Sequence, residues 1–303
     1  MGTRLARLIR ARYGHDLYAF RPKRRVPNSL GIKEIHHESE LAQLKPTIAF
    51  ITNPTAKHMS ASLKAAVMGM HLFIEKPLSH DLTHWHCLAD IIRRNRLTAF
   101  VACNLRFNPM LRYLKGILDP SRIQCVQAIS SSYLPDWRPG QDYRESYSAK
   151  RNLGGGVILD LIHEPDYCRW LFGDVVEIKG TAGKASNLEI DTEDYADMIL
   201  THATGIQSHI HVDYSGTDAK RQLDVYGKDV YVHADILEGT LEISGPWGTR
   251  ARTFHTEDKD SSYAAELGYF FGCLDKGLKP MNHAGEHVEL LKPLLFFKKQ
   301  TGW

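Results

Sequence analysis

Residues 47–77 read TIAFITNPTAKHMSASLKAAVMGMHLFIEKP, and the internal rhythm of this stretch decides the fold. Thr47 to Thr52 is a short β-branched and aromatic run of the kind that a parallel sheet buries on both faces. From His58 to Met70 the period changes. Leu63, Ala66 and Val67 recur at helical spacing, while Lys57 and Lys64 can face water. His71 to Ile74 is again a buried strand, closed by Glu75-Lys76-Pro77. Strand, helix and strand within about thirty residues make a βαβ unit, which requires a parallel sheet.

The same alternation extends in both directions. Arg4 to Arg12 carries Leu5, Leu8 and Ile9 as the apolar stripe of a helix whose arginines face water. Leu17 to Phe20 reads as a strand, Glu38 to Leu44 as a short helix, and Asp81 to Arg94 as a helix. Thr98 to Ala102 is a strand, and Met110 to Leu118 a helix. After Asp119-Pro120 the character changes, so two domains are expected, 1–120 and 121–303. The second opens with the alternating strand Ile123 to Ser131 and a long loop from Ser132 to Leu153; a structureless loop of that length is uncommon unless functional. Gly154-Gly155-Gly156 then precedes one apolar helix from Val157 to Phe172. Beyond it, the runs Glu177 to Ala185, Glu193 to Leu200, Gly205 to Tyr214, Lys220 to Val225, Val230 to Asp235 and Thr240 to Ile243 read as a mostly antiparallel sheet. Tyr263 to Lys276 and His283 to Phe297 close the chain as helices. The fold class is α/β.

Composition sets the outer bounds. With 303 residues, 43% hydrophobic and 24% charged, the chain is neither wholly disordered nor collagen-like nor a coiled coil. A formal charge of +3 is too near balance to imply nucleic acid. The five cysteines lie far apart with no CxxC pair, which fits a reducing compartment better than a disulfide scaffold. No run approaches the ~18 apolar residues of a membrane span. The expected location is the cytoplasm, away from membranes.

Chemistry concentrates at two places. Lys76 follows a parallel strand, where open α/β sheets place ligands, and Pro77 restricts the chain beside it; a plain structural turn is the alternative. Asp160, His163 and Asp166 are spaced by three on one face of the expected helix. Burying two carboxylates and an imidazole is costly unless they are paired or face a cavity. His163, with an ordinary pKa near neutrality, suits proton transfer with an alcohol; a structural His163–Asp166 pair is the alternative. His209/His211, His36/His37 and His84/His86 are near neighbours without further ligands at motif spacing, so no metal is expected. Neither a Gly-x-Ser-x-Gly elbow nor a phosphate loop of the Gly-Lys-Ser/Thr type occurs. In the long loop, Tyr133, Trp137, Arg138, Tyr143 and Arg144 combine flat surfaces with fixed donors, a mixture suited to a sugar face or an attached acidic group; packing against the protein itself is the alternative.

These motifs together resemble the glucose-fructose oxidoreductase and inositol dehydrogenase family over essentially the whole chain. The resemblance rests on Glu75-Lys76-Pro77, Asn104-Leu105-Arg106-Phe107, the triple glycine with its Asp and His, and Asp191-Thr192-Glu193-Asp194. It implies an N-terminal Rossmann-type domain and a C-terminal α/β domain with an open, mostly antiparallel sheet, used for substrate binding and oligomerisation as a homodimer or homotetramer. It places Lys76 beside the nicotinamide and the reacting hydroxyl, His163 as acid/base, and Asp160 as an orienting polar group. Thr52, Asn53, Pro54 and His58 match the cofactor-side loop, with Glu75, while Asn104 and Arg106 match a later loop that shapes the site. Tyr133-Leu134-Pro135-Asp136-Trp137-Arg138-Pro139 and His163-Glu164-Pro165-Asp166-Tyr167 resemble a subgroup often associated with surface-polysaccharide biosynthesis.

The departure lies at the start. The family opens with a hydrophobic strand and Gly-x-Gly-x-x-Gly, whereas here Gly2 aligns with the last glycine, and Thr3 follows directly in the first helix. The expectation is that the central first strand of the sheet is missing. The implied function is nicotinamide-dependent hydride transfer on a small sugar-like substrate; the rival reading is an inactive, truncated homologue that only binds or assembles. For the cofactor, Leu17 to Phe20 ends in Arg21-Pro22-Lys23-Arg24-Arg25 with no acid at the turn to accept the ribose 2′-hydroxyl, so NADP(H) is expected over NAD(H) once the missing strand is restored, with weak binding of either by the chain as it stands.

Overall fold

The computed structural model describes residues 1–22, 28–254 and 260–303. Lys23, Arg24 and Arg25 lie outside the described residues. In the first half, α1 (Gly2–Tyr13) buries Leu5, Leu8 and Ile9 and ends where Gly14 takes φ 61°, the left-handed conformation that glycine adopts without strain. β1 (Tyr18–Phe20) and β2 (Lys33–Ile35) pair in parallel, followed by α2 (Glu38–Leu44). Then β3 (Ile48–Ile51), α3 (His58–Val67), β4 (His71–Glu75), α4 (Trp85–Arg94) and β5 (Ala99–Ala102) form a parallel sheet in the order β3-β4-β5. The Thr47–Pro77 stretch is thus the βαβ unit that its periodicity requires. β2 escapes a sequence reading because of its three residues only Ile35 is buried. Among the described residues no strand joins the β1–β2 pair to the three-stranded sheet. α5 (Pro109–Ile117) starts at Asn108, whose side chain accepts from the amides of Met110 and Leu111.

The second half opens with β6 (Ile123–Ser131). After the long loop come α6 (Val157–Asp160) and α7 (His163–Phe172), then β7 (Val175–Gly183), β8 (Tyr195–His202), β9 (Gln207–Asp213), β10 (Lys220–Gly227), β11 (Tyr231–Asp235), β12 (Thr240–Gly245) and β13 (Gly248–Thr253). They form one eight-stranded sheet in the order β13-β12-β11-β10-β6-β9-β8-β7, antiparallel except for the β6–β9 pair. One face is buried: on β8, Ala196, Met198 and Leu200 turn inward while Asp197 and Ile199 turn out, and α7 and α9 (Ala284–Gln300) cover the inner side. β13, GTRART, is exposed along its whole length and carries no apolar alternation for a sequence reading to detect.

Two expectations need correction. The helix from Val157 to Phe172 is two helices, because Leu161 leaves helical geometry at φ −98°, ψ 33°. And the chain returns to the first half after residue 260: α8 (Ser261–Asp275) contributes Ala264, Leu267, Phe270 and Phe271 to a core with Leu5, Ile9, Phe73 and Phe100. The Phe270 ring lies 5.3 Å from Phe73 and 5.9 Å from Phe100 between centroids. A division at residue 120 therefore leaves the first core without one of its helices.

Candidate active site

The cleft forms where β3 and β4 end and faces the second half of the chain. Its volume is about 670 Å³. Thr52, Asn53, Pro54, His58, Glu75 and Lys76 line one side, and Trp137, Arg138, Tyr147, Asp160, His163 and Arg221 the other. Lys76 crosses between them, since its ammonium donates to the backbone carbonyl of Asp160 and lies 3.4 Å from Asp160 Oδ1.

Asp160 is held from three directions. It ends α6 and accepts the hydroxyls of Tyr147 at 2.6 Å and Tyr214 at 3.0 Å. Burial pushes its pKa up, but Lys76 and the hydroxyls of Tyr147 and Tyr214 help hold it below the ordinary carboxylate value. Asp160 is thus an ionised anchor for Lys76 rather than a proton acceptor.

The break after α6 decides what the neighbouring groups do. His163 becomes the first residue of α7 and stays at the cleft. Its Nδ1 is buried with no hydrogen-bond partner among the described residues, leaving Nε2 as the ring nitrogen open to the cleft. Burial, then the positive charges of Lys76 and Arg221, lower its pKa well below 6.5, so the ring is neutral at pH 7. Asp166, expected on the same face, points away to Arg106, which also rules out the His163–Asp166 pair.

His58 lies between the Asn53 loop and the Lys76-Pro77 loop, which are expected on the cofactor side. Its Nδ1 is 2.8 Å from the carbonyl of Pro77 and its Nε2 2.8 Å from the carbonyl of Asn53. Its burial lowers the pKa against the pull of both carbonyls. The neutral ring has one N–H and donates to only one of these carbonyls at a time, while it fills the space between the Asn53 and Lys76 loops. Glu75 is buried and raised to about 7 by that burial, against the nearby charges of Lys76 and the N-terminus. At the mouth, a Cβ added to Gly2 would stand 2.8 Å from Thr52 Oγ1. Gly2 thus permits the N-terminus of α1, with Thr3 beside it, to approach this loop, and Met1 and Arg4 line the cleft.

Several expected site residues are elsewhere. Arg106 is 1% exposed and fully engaged: Nε and Nη2 each meet an Asp166 oxygen at 2.8 Å, and Nη1 meets Glu286 at 3.0 Å. Its assignment to substrate is corrected to a buried ion pair that joins the Asn104–Phe107 turn to α7. Cys103, Asp166 and His287 come together as buried groups, but Arg106 occupies both oxygens of Asp166. Arg106→Ala is expected to destabilise the fold by about 3–5 kcal/mol, because Asp166 would be left charged and unpaired; a denaturant midpoint unchanged from wild type would refute this. Asn104 donates to Ser262 Oγ at 3.0 Å, behind the cleft. Tyr133 is exposed and does not line the cleft. Tyr143 accepts from the amide of Glu189 at 3.1 Å, and Arg144 is tied to Asp142 and Glu189. Arg21 stands at the end of β1 and pairs with Glu34 of β2 at 2.7 Å.

Conversely, Tyr147, Tyr214, Ser130 and Arg221 belong to the site and carry no motif. Tyr147 lies in a loop that its Tyr, Trp and Arg content marks as functional, which is the one signal that could have found it.

Comparison with known proteins gives consistent matches. Residues 19–103 match "Oxidoreductase family, NAD-binding Rossmann fold" and residues 111–233 match "GFO/IDH/MocA C-terminal domain". An uncharacterized oxidoreductase of Bacillus subtilis (strain 168), YrbE, is 30% identical over 227 residues, 73% of this chain and 61% of its own; the chain thus spans less than two thirds of that relative. The myo-inositol 2-dehydrogenase of Thermotoga maritima is 23% identical over 273 residues, 85% of this chain and 78% of its own. Among solved structures, an oxidoreductase from Agrobacterium radiobacter in complex with NAD+, L-tartaric acid and magnesium superposes with TM-score 0.84 at 17% identity, covering 99% of this chain and 93% of that one.

Proposed function

The chain belongs to the GFO/IDH/MocA oxidoreductase family, and from that premise we propose that it is a nicotinamide-dependent dehydrogenase acting on a hydroxyl-bearing carbon of a sugar or polyol. The observation that carries this reading is the convergence of Lys76, anchored by Asp160, with the neutral, cleft-facing His163. A dinucleotide fits the residues opposite. The α1 N-terminus, which favours anions, opens on the Thr52 loop, and His58 fills the space between the Asn53 and Lys76 loops.

A nicotinamide bound there supplies the hydride acceptor or donor. Lys76 binds the substrate oxygen and stabilises negative charge developing on it. His163 Nε2 takes the hydroxyl proton in oxidation and returns it in reduction. Tyr147 and Tyr214 keep Asp160 ionised and in place, so that the ammonium of Lys76 keeps its direction.

The preference for NADP(H) over NAD(H) belongs to the same proposal. Arg21 stands where an NAD-selective acid would end the strand, although Glu34 answers part of its charge. Mixing the protein with NADP+ or NAD+ and a panel of sugars and polyols, and reading reduced-cofactor fluorescence, tests both statements. The expected result is reduction of cofactor with a lower KM for NADP+, and loss of that preference in Arg21→Asp. Reversal of the preference in wild type would refute the cofactor assignment, and absence of reduction across the panel would favour a binding or assembly protein. Among the described residues no helix is long and apolar enough to cross a membrane. A cytoplasmic location and a homodimer or homotetramer formed through the open face of the large sheet complete the proposal.

A further inference from the structure

Around the cleft, one cationic side chain has no carboxylate to answer it among the described residues. Lys76 is answered by Asp160. Arg221, at the start of β10, donates Nε to Glu164 Oε1 at 2.8 Å and Nη2 to Ser130 Oγ at 3.1 Å. Glu164 is fully buried beneath it, so the guanidinium is fixed, and its Nη1 has no protein acceptor among the described residues. Arg138 lies with its Cζ 5.3 Å from the centroid of the Tyr147 ring, and among the described residues neither a hydrogen bond nor an ion pair reaches its side chain. The hydroxyl of that same tyrosine is bonded to Asp160 at 2.6 Å, which places Arg138 against the assembly that aims Lys76.

Lys76 faces Asp160, Arg221 faces Glu164, Lys220 lies 3.9 Å from Asp218 and Arg4 2.9 Å from Asp260, so that Arg138 is the cationic side chain of the cleft without a carboxylate partner among the described residues. Stacking on an aromatic face and tethering to Glu164 pre-organise two planar forks whose geometry matches a carboxylate. A single negative charge on the substrate would answer Arg138.

We propose that the substrate is a sugar acid, whose carboxylate is held by Arg138 and Arg221 while Lys76 and His163 address one of its hydroxyls. This names the substrate class for the hydride-transfer reading and rests on it. Calorimetric titration, with and without NADPH, of D-glucuronate, D-galacturonate and D-mannuronate against their neutral parent sugars tests it, with glucose 6-phosphate as a further arm. At least one uronate is expected to bind about tenfold or more tighter than its parent, the scale of a hydrogen bond to a charged group. In Arg138→Ala the ratio should fall to within about threefold, and Arg138→Lys, which keeps charge but not the fork, should fall between. Thermal melts establish that both variants fold.

The proposal is overturned if no uronate is preferred to its parent, if glucose 6-phosphate outbinds every uronate, or if the preference survives in both variants. Arg138-dependent uronate binding without any cofactor reduction would support the carboxylate site and sink the hydride-transfer reading instead, so the two fail separately.

Discussion

Replacing His163 by asparagine is expected to lower turnover by about two to four orders of magnitude while changing cofactor affinity by less than about twofold. The size of the effect follows from position. His163 is the imidazole at the cleft beside Lys76, and Asn keeps much of the side-chain volume but accepts no proton. The pH profile sharpens the prediction. Burial, Lys76 and Arg221 lower the histidine pKa well below 6.5, so the basic form persists as pH falls through 6.5. Oxidation should therefore keep its rate at pH 6 and lose it only at more acid values, and the variant should lack that acid limb. Near-normal turnover in the variant, or a wild-type acid limb centred at or above 6.5, would remove His163 from the proposed role.

Lys76→Ala should cost about two to three orders of magnitude in kcat/KM, with KM for the sugar raised as well, because in the proposed reaction the ammonium both holds the oxygen and stabilises its developing charge. The same change leaves Asp160 buried with hydroxyl partners only, so the variant should also melt at lower temperature. Asp160→Asn separates the two effects. It retains an acceptor for Tyr147 or Tyr214 but releases Lys76 from its charge partner, and should lower kcat less than Lys76→Ala does. Kinetics of Lys76→Ala within about threefold of wild type would defeat the assignment.

How much of this was legible in the sequence depends on range. The βαβ unit could be read because strand and helix periods are local properties of Thr47–Pro77. Lys76 and His163 could be read because each sits at a place that local chemistry marks, the end of a buried strand and a polar row in an apolar helix. What escaped needs distance or geometry. The interruption at Leu161 was within reach of the sequence, because Pro165 has no N–H to bond the Leu161 carbonyl four residues back and its ring crowds that carbonyl; that Asp166 then meets Arg106, sixty residues away in sequence, was not. Arg106 was placed at the site by the resemblance of its Asn104–Phe107 motif; only the fold shows that two carboxylates, from α7 and α9, close around it. Tyr214 reaches Asp160 from the end of β9, a pairing that no spacing rule encodes. Glu34 shows the limit of a negative argument: the turn after β1 has no acid, yet a neighbouring strand brings one to Arg21.

The separation of the β1–β2 pair from the β3-β4-β5 sheet also bears on how the first half holds together. With only three residues in each strand, the pair shares no backbone ladder with the larger sheet among the described residues, and elements joined by few hydrogen bonds open at lower free energy than the core. A ligand that touches Arg21 on one sheet and Asn53 on the other would act as a strut between them. Its binding energy would then appear as cohesion of this half, by about RT ln(1 + [L]/Kd), and amide exchange along β1 and β2 would slow with cofactor concentration while that along β4, already sealed in the core, would barely change.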